Sequence, residues 1–199
     1  MAKIIGLTGG IASGKSTVAR MMQKAGIPIV DADVVAREVV KVGEPAYKHI
    51  VEHFGESVLL EDGAINRQAL GNIIFHQEEK RKKLNEIVHP AVRGKMKEDA
   101  AKYIQEGHPI VVMDIPLLFE SKLTHLVEKT IVVYVDEPTQ LQRLMERNSL
   151  SEEDALARIH SQMPLKEKLK LADEVIDNNG TILETEAQLN TILEKMADH

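Results

Sequence analysis

The sequence predicts an α/β fold: a parallel β-sheet of about five strands flanked by helices, carrying an all-helical insertion and a further charged helical segment. Three observations predict it. Short, nearly continuous apolar runs rich in Val and Ile recur along the chain, the pattern of strands buried on both faces of a parallel sheet. Helical periodicity fills the intervals between them, as crossovers between parallel strands require. A glycine-rich turn, GGIASGKS at 9–16, joins the first apolar run directly to a helical stretch.

The strand runs are Lys3–Thr8, Ile27–Val30, Ile110–Met113, Ile131–Val135 and the weaker Glu174–Ile176. About eighty residues between Val30 and Ile110 contain no strand pattern. They begin with a helix over Val34–Val40 and continue as helices over Glu44–Phe54, Arg67–His76, Glu79–Val88 and Ala91–Gln105. Gly43, Gly55, Gly63 and Pro90 punctuate the stretch. In the last helix Val92, Met96, Ala100 and Tyr103 share a face. So long a connection is no ordinary loop, which makes it an inserted helical subdomain. Leu141–Arg147, Ser151–Gln162 and Leu165–Leu171 then read as a charged helical cluster, with Ser151 and Asp154 in capping-box spacing.

The 199 residues are 43% hydrophobic and 28% charged, which suits one α/β core with an inserted subdomain. The formal net charge of −6 argues against non-specific binding to nucleic acid or anionic membrane. The absence of cysteine excludes disulfides, thiolate catalysis and Cys-ligated zinc. No apolar run approaches the ~18 residues of a membrane span. The first apolar run leads into glycines and lacks the features of a signal peptide. The expectation is a cytoplasmic protein with small-molecule substrates and neither nucleic acid nor membrane as partner.

The turn fits G-x-x-x-x-G-K-[ST]. Its glycines let successive N–H groups point inward at phosphate oxygens, at the positive end of the following helix. Gly10, Ile11, Ala12, Ser13, Gly14, Lys15, Ser16 and Thr17 are therefore the candidate nucleotide-binding set. Lys15 would reach the β- and γ-phosphates, Ser16 would ligate Mg²⁺ and Thr17 would meet the α-phosphate. The loop predicts a bound nucleoside triphosphate. A GTPase needs a guanine-reading Asn-Lys-x-Asp and a transporter ATPase a Leu-Ser-Gly-Gly signature; neither occurs.

A small-molecule kinase needs an acceptor-side carboxylate, mobile positive charge and an acceptor-binding subdomain. Asp31 and Asp33, two apart at the end of the second strand run, are candidates for holding Mg²⁺ and for accepting a proton from an attacking hydroxyl. The competing reading of Asp33 as a helix cap stands equal from spacing alone. Arg37 lies one turn after Asp33, where it can pair with that carboxylate or with an acceptor phosphate. Arg143 and Arg147, spaced i, i+4, share a helix face suited to a triphosphate. The strand running into Asp114 offers a second metal-site carboxylate, with Pro116 and Leu117 opening an apolar wall. His89 sits directly before Pro90 in the insertion.

The stretches GLTGGIASGKST, DADVVAR, LNEIVHP, DIPLLFE, QLQRLMERN and ADEVIDNNGT, in this order and spanning essentially the whole chain, resemble the dephospho-CoA kinases. The resemblance implies a P-loop kinase core of residues 1–33, 108–142 and 172–199, a helical acceptor subdomain of 34–107 and a lid of 143–171. It implies ATP as phosphoryl donor, Mg²⁺, and dephospho-CoA as acceptor at its ribose 3′-hydroxyl, yielding coenzyme A and ADP in the last step of coenzyme A biosynthesis. It assigns Asp33 as base, with Lys15, Arg143 and Arg147 completing the catalytic set. Thr8, Asp33, Arg37, His89, Pro116 and Leu117 form the substrate-binding set, and Asn178 and Gly180 lie where related kinases hold adenine. Ala12 departs from the glycine frequent there in the family, and Asn148 from an aspartate. Other expectations are a P-loop kinase for a nucleoside monophosphate or small metabolite, and an ATP-driven switch protein. The large insertion favours a bulky acceptor.

Overall fold

The computed structural model describes residues 2–197, so residue 1 and residues 198–199, at the ends of the expected core segments, lie outside the described residues. The chain forms two compact units, one of Met1–Val30 with Ala100–His199 and one of Asp31–Asp99. Among the described residues no helix is long and apolar enough to cross a membrane.

The first unit is organised by a five-stranded parallel sheet. Its strands are β1 (Lys3–Gly9), β2 (Ile29–Asp31), β3 (Ile110–Asp114), β4 (Lys129–Tyr134) and β5 (Glu174–Asp177), in the order β2-β3-β1-β4-β5. β1 lies at the centre, with Leu7 opposite both Asp114 on β3 and Ile131 on β4. All five residues of β3 and the last five of β1 are buried, which is why their sequences are apolar without alternation. Ile5, Leu7, Val112, Ile131, Val133 and Ile176 pack with Val18, Ala19 and Met22 of helix α1 (Lys15–Lys24). Each fully buried Ile or Leu there contributes about 1.5–3 kcal/mol.

The same core takes Leu189, Ile192 and Met196 from a C-terminal helix, Ile182–Ala197, beyond the elements expected from the sequence. Its signal is present: those three residues recur at the i, i+3, i+7 spacing of a buried helical face.

The charged segment forms three helices, Glu137–Asn148 (the Arg143 helix), Glu152–His160 and Leu165–Leu169. Ser151 caps the second: its Oγ accepts from the Asp154 N–H at 3.1 Å and donates to Asp154 Oδ2 at 2.8 Å. The buried residues Leu144, Ala155 and Ile159 gather Ile11 and Ala12 of the glycine turn against them.

The second unit is helical apart from an isolated antiparallel bridge between Leu59 and Ile65. Its helices are α2 (Ala32–Glu38), α3 (Pro45–Phe54), α4 (Arg67–His76) and α5, which begins here and runs Glu78–Gln105. Ile50, Val58 and Leu70 form its core, with Phe54, Ile73, Leu84, Ile87 and Val88 packed around them. The two helices expected on either side of Pro90 are one helix of 28 residues. Proline removes one N–H and crowds the preceding turn, at a cost of about 3 kcal/mol. Leu84, Ile87 and Val88 before it are anchored in the core and Met96 after it is buried, and this packing outweighs the local preference to stop.

Candidate active site

The glycine turn links the buried end of β1 to α1. Gly14 occupies the N-cap of α1 with φ 87° and ψ 16°, and no side chain caps the helix. A Cβ at Gly14 would overlap the Asn178 amide nitrogen, so glycine is demanded twice, by conformation and by space. The first N–H groups of a helix have no intrahelical partner. Here they open beside a cavity of about 700 Å³ lined by Gly10–Thr17, Arg20, Arg143, Glu146 and Arg147. An uncapped positive helix end bordered by cations binds anionic phosphate.

The Lys15 ammonium forms an ion pair with Asp114 at the end of β3, and both side chains are largely buried. Ser16 is exposed. A serine hydroxyl and a carboxylate are the hard oxygen donors that Mg²⁺ prefers, and that ion commonly takes only one or two protein ligands beside water and substrate phosphates. Ser16 and Asp114 fit that demand, with Lys15 beside them neutralising the carboxylate.

Arg143 is half-buried, and its Nη1 donates to the Asn178 carbonyl at 2.9 Å. Arg147 is exposed and donates its Nε to Asn148 Oδ1 at 2.8 Å, a contact that steadies this arginine. The structure brings both arginines to the glycine-turn cavity. Sequence reasoning missed Arg20 and Glu146, which line it too. Arg20 had a signal, since it stands four residues after Ser16, one turn on along the same helix.

Side chains from distant elements hold the turn. Gln140 Nε2 donates to the Ile11 carbonyl at 2.8 Å and Gln162 Oε1 accepts the Ile11 N–H at 3.0 Å. The Asn178 amide donates to the Ser13 carbonyl at 2.8 Å and accepts from the Thr185 hydroxyl at 2.7 Å. The Asn178 N–H meets the Tyr134 carbonyl and the Asn179 N–H meets Asp177 Oδ1. The polar groups of Asn178, one of the two residues expected near adenine, are thus engaged within the fold, while Gly180 is exposed. Thr8, fully buried, donates to the Pro116 carbonyl at 3.0 Å; Leu117 beyond it is exposed.

Asp136 caps the Arg143 helix by accepting from the Thr139 N–H at 2.8 Å. Hydrogen bonding to Thr139, side chain first and backbone next, holds its carboxyl below the usual carboxylate range, with nearby Arg143 adding to the effect. The charged form is the one that caps, and it is present at neutral pH.

Asp31, Asp33, Arg37 and His89 belong to the second unit. Asp31, not Asp33, is the cap: its Oδ1 accepts from the Asp33 N–H at 2.8 Å and the Val34 N–H at 3.1 Å. The helix accordingly starts at Ala32 rather than Val34. Asp33 lies exposed in the first turn, and among the described residues no hydrogen bond or ion pair reaches its carboxylate. Arg37 Nε donates to the Asp33 backbone carbonyl at 3.1 Å, not to the carboxylate. His89 is exposed.

Comparison with known proteins adds a family to this geometry. The family model described as dephospho-CoA kinase matches residues 3–184. The dephospho-CoA kinase of Bacillus cereus is 61% identical over 193 residues, covering 97% of this chain and 96% of that one. A crystal structure from Thermus thermophilus superposes with a TM-score of 0.81 at 35% identity, covering 98% and 97% of the two chains. The dephospho-CoA kinase of Campylobacter jejuni superposes with a TM-score of 0.76 at 31% identity, covering 100% and 98%.

Proposed function

The chain belongs to the dephospho-CoA kinase family, and on that premise we propose that it transfers the γ-phosphoryl group of ATP to the ribose 3′-hydroxyl of dephospho-CoA, giving coenzyme A and ADP. The observation that carries the donor half is the cavity in which the uncapped end of α1, Lys15, Arg143 and Arg147 converge. Four positive features facing one space suit a triphosphate.

Transfer of a phosphoryl group asks a protein mainly for positioning and for compensation of charge spread over the γ-oxygens. The turn amides cradle the phosphates, Lys15 meets the β/γ end, and Arg143 and Arg147 supply the outer cations. Ser16 and Asp114 would hold Mg²⁺, which supplies further neutralisation of the β- and γ-oxygens when bound. Arginines on residues 143–171 close over the triphosphate as a lid and exclude water, suppressing hydrolysis. The helical residues 34–107 grip the acceptor. Asp33 orients its 3′-hydroxyl and takes the proton late in a loose transition state. With Asp31 occupied in capping, Asp33 is the carboxylate of that pair left open to a ligand.

The test is an initial-rate assay of ADP release with dephospho-CoA, with AMP and with no acceptor. Dephospho-CoA should accelerate turnover by orders of magnitude over both. Equal rates with AMP point to a nucleotide kinase, and acceptor-independent turnover points to an ATP-driven switch.

A further inference from the structure

Lysine is almost never fully buried unless its charge is matched. Lys168, on the short helix Leu165–Leu169, is nonetheless fully buried. An ammonium has three N–H donors, and three acceptors surround this one: the Gly9 carbonyl at 3.1 Å, the Pro116 carbonyl at 3.1 Å and Glu120 Oε1 at 2.9 Å. The contact with Glu120 is an ion pair by distance and not a hydrogen bond. Among the described residues neither carboxylate oxygen of Glu120 has a hydrogen-bond partner.

The two carbonyls are not arbitrary points of the fold. Gly9 ends β1 and begins the phosphate-binding turn. Pro116 follows two residues after Asp114, the partner of Lys15, and its carbonyl also receives the Thr8 hydroxyl. Lys168 therefore clamps the start of the turn to the wall that leaves β3. Stability alone is a weak reason for such a group, because well-packed apolar side chains often replace a buried ion pair at no loss.

We propose that Lys168 is a positioning residue for phosphoryl transfer: its ammonium sets the spacing between the phosphate-binding turn and the Asp114–Pro116 wall. The proposal rests on the kinase reading above.

The bland alternative is that Lys168 only neutralises Glu120, and two variants separate these roles. Lys168→Met leaves an unpaired buried carboxylate and should lower both the melting temperature and kcat. Lys168→Met with Glu120→Gln removes that stranded charge, so thermal stability should recover. The carbonyls of Gly9 and Pro116 stay unclamped, so kcat measured well below the melting temperature should remain lower by about 10–100-fold, the scale of a sub-ångström to 1 Å misplacement. The ATP KM should move by only about threefold, since the bonds that hold the phosphates are made by other groups. Glu120→Gln alone should keep kcat close to wild type, because all that it removes is the charge opposite the ammonium. Recovery of kcat in the double variant, or an equal loss in Glu120→Gln, overturns the proposal. A wild type inactive with dephospho-CoA but active with another acceptor would refute the acceptor reading instead, and the same ratios would then be taken with that acceptor; with no acceptor active, they would be taken on basal ATP hydrolysis.

Discussion

The phosphate-binding turn and the start of α2 carry the two halves of the proposed chemistry, and they are built in opposite ways. Around the turn, Gln140, Gln162, Asn178 and Lys168 each hold a backbone group of residues 9–13 in a fixed direction. At the start of α2, Asp31 is engaged as the cap while Asp33 stands exposed with its carboxylate unengaged. On the proposed function the donor side would handle one constant ligand, a triphosphate, and electrostatic catalysis works best when its dipoles need no reorganisation. The proposed acceptor side would have to let a bulky substrate in and out, and a solvated carboxylate would be available to it without first breaking a bond. One half is preorganised by protein contacts; the other is completed by its ligand.

Removing charge from the preorganised half should cost most. Lys15→Ala should lower kcat by about 10³-fold or more, since a single oriented donor at developing charge is worth about 10²–10³-fold and here it is also a full charge. The fold should survive, although Asp114 loses its ion-pair partner. Circular dichroism with a steady-state assay checks both. Wild-type-like turnover in a folded variant would remove the turn from the mechanism.

The other half is tested by separating its two carboxylates. Asp33→Asn should lower kcat by ~10²–10⁴-fold, the range of general-base assistance, with ATP binding and melting temperature nearly unchanged. Asp31→Ala should do the reverse, costing about 0.5–2 kcal/mol of stability through the lost cap, while Asp31→Asn caps as well and is nearly neutral. Denaturant unfolding and kcat on the three variants decide it. If Asp33→Asn turns over within a few-fold of wild type, the catalytic carboxylate lies elsewhere.

The same contrast governs what could be read from the sequence. Strand runs and the turn were legible because each is a local pattern whose physics is contained in a few consecutive residues. The apolar run Ile110–Met113 predicts β3, which spans Ile110–Asp114. The props of the turn were not legible, because Gln140, Gln162, Asn178 and Lys168 reach it across sequence separations of 129 to 165 residues. Nothing local distinguishes such a glutamine from a solvated one. Asp31 and Asp33 failed differently: the cap and the free carboxylate are two residues apart, and only the true helix start tells them apart. Pro90 reads as a stop because its local cost is real, and it is overruled by packing that the local pattern does not contain.

A prop can be struck from either side. Asn178→Ala leaves the Ser13 carbonyl and the Thr185 hydroxyl without their amide partner, at about 1–3 kcal/mol for a buried unsatisfied group. The loosened turn should lower kcat/KM for ATP by about tenfold, equivalent to roughly 1.4 kcal/mol of transition-state binding. Gly14→Ala presses on the same amide from the turn side and should reproduce the loss with added strain from its positive φ. Isothermal titration with a non-hydrolysable ATP analogue, beside kinetics, checks the pair. Unchanged ATP handling in both variants would mean that the turn keeps its shape without Asn178.

The smallest effect is expected at Ala12, inside the preorganised half. Ala12 adopts φ 58°, one of three non-glycine residues with positive φ among those described. The left-handed region costs an alanine about 1–2 kcal/mol, so glycine would relieve strain. Against that, glycine loses more backbone entropy on folding, about 0.5–1 kcal/mol. The methyl group also packs with Leu144, Ala155 and Ile159, and a half-buried methyl contributes a few tenths of a kcal/mol. The three contributions nearly cancel. Ala12→Gly should therefore shift the melting temperature by no more than about 2 °C, because about 1 kcal/mol moves a chain of this size by roughly 2–4 °C. Its kcat should stay within about twofold of wild type, since Gln140 and Gln162 still hold the neighbouring Ile11 peptide from both sides. A loss of tenfold or more at an unchanged melting temperature would show that the methyl contact, and not the hydrogen-bonded props, keeps the turn in shape.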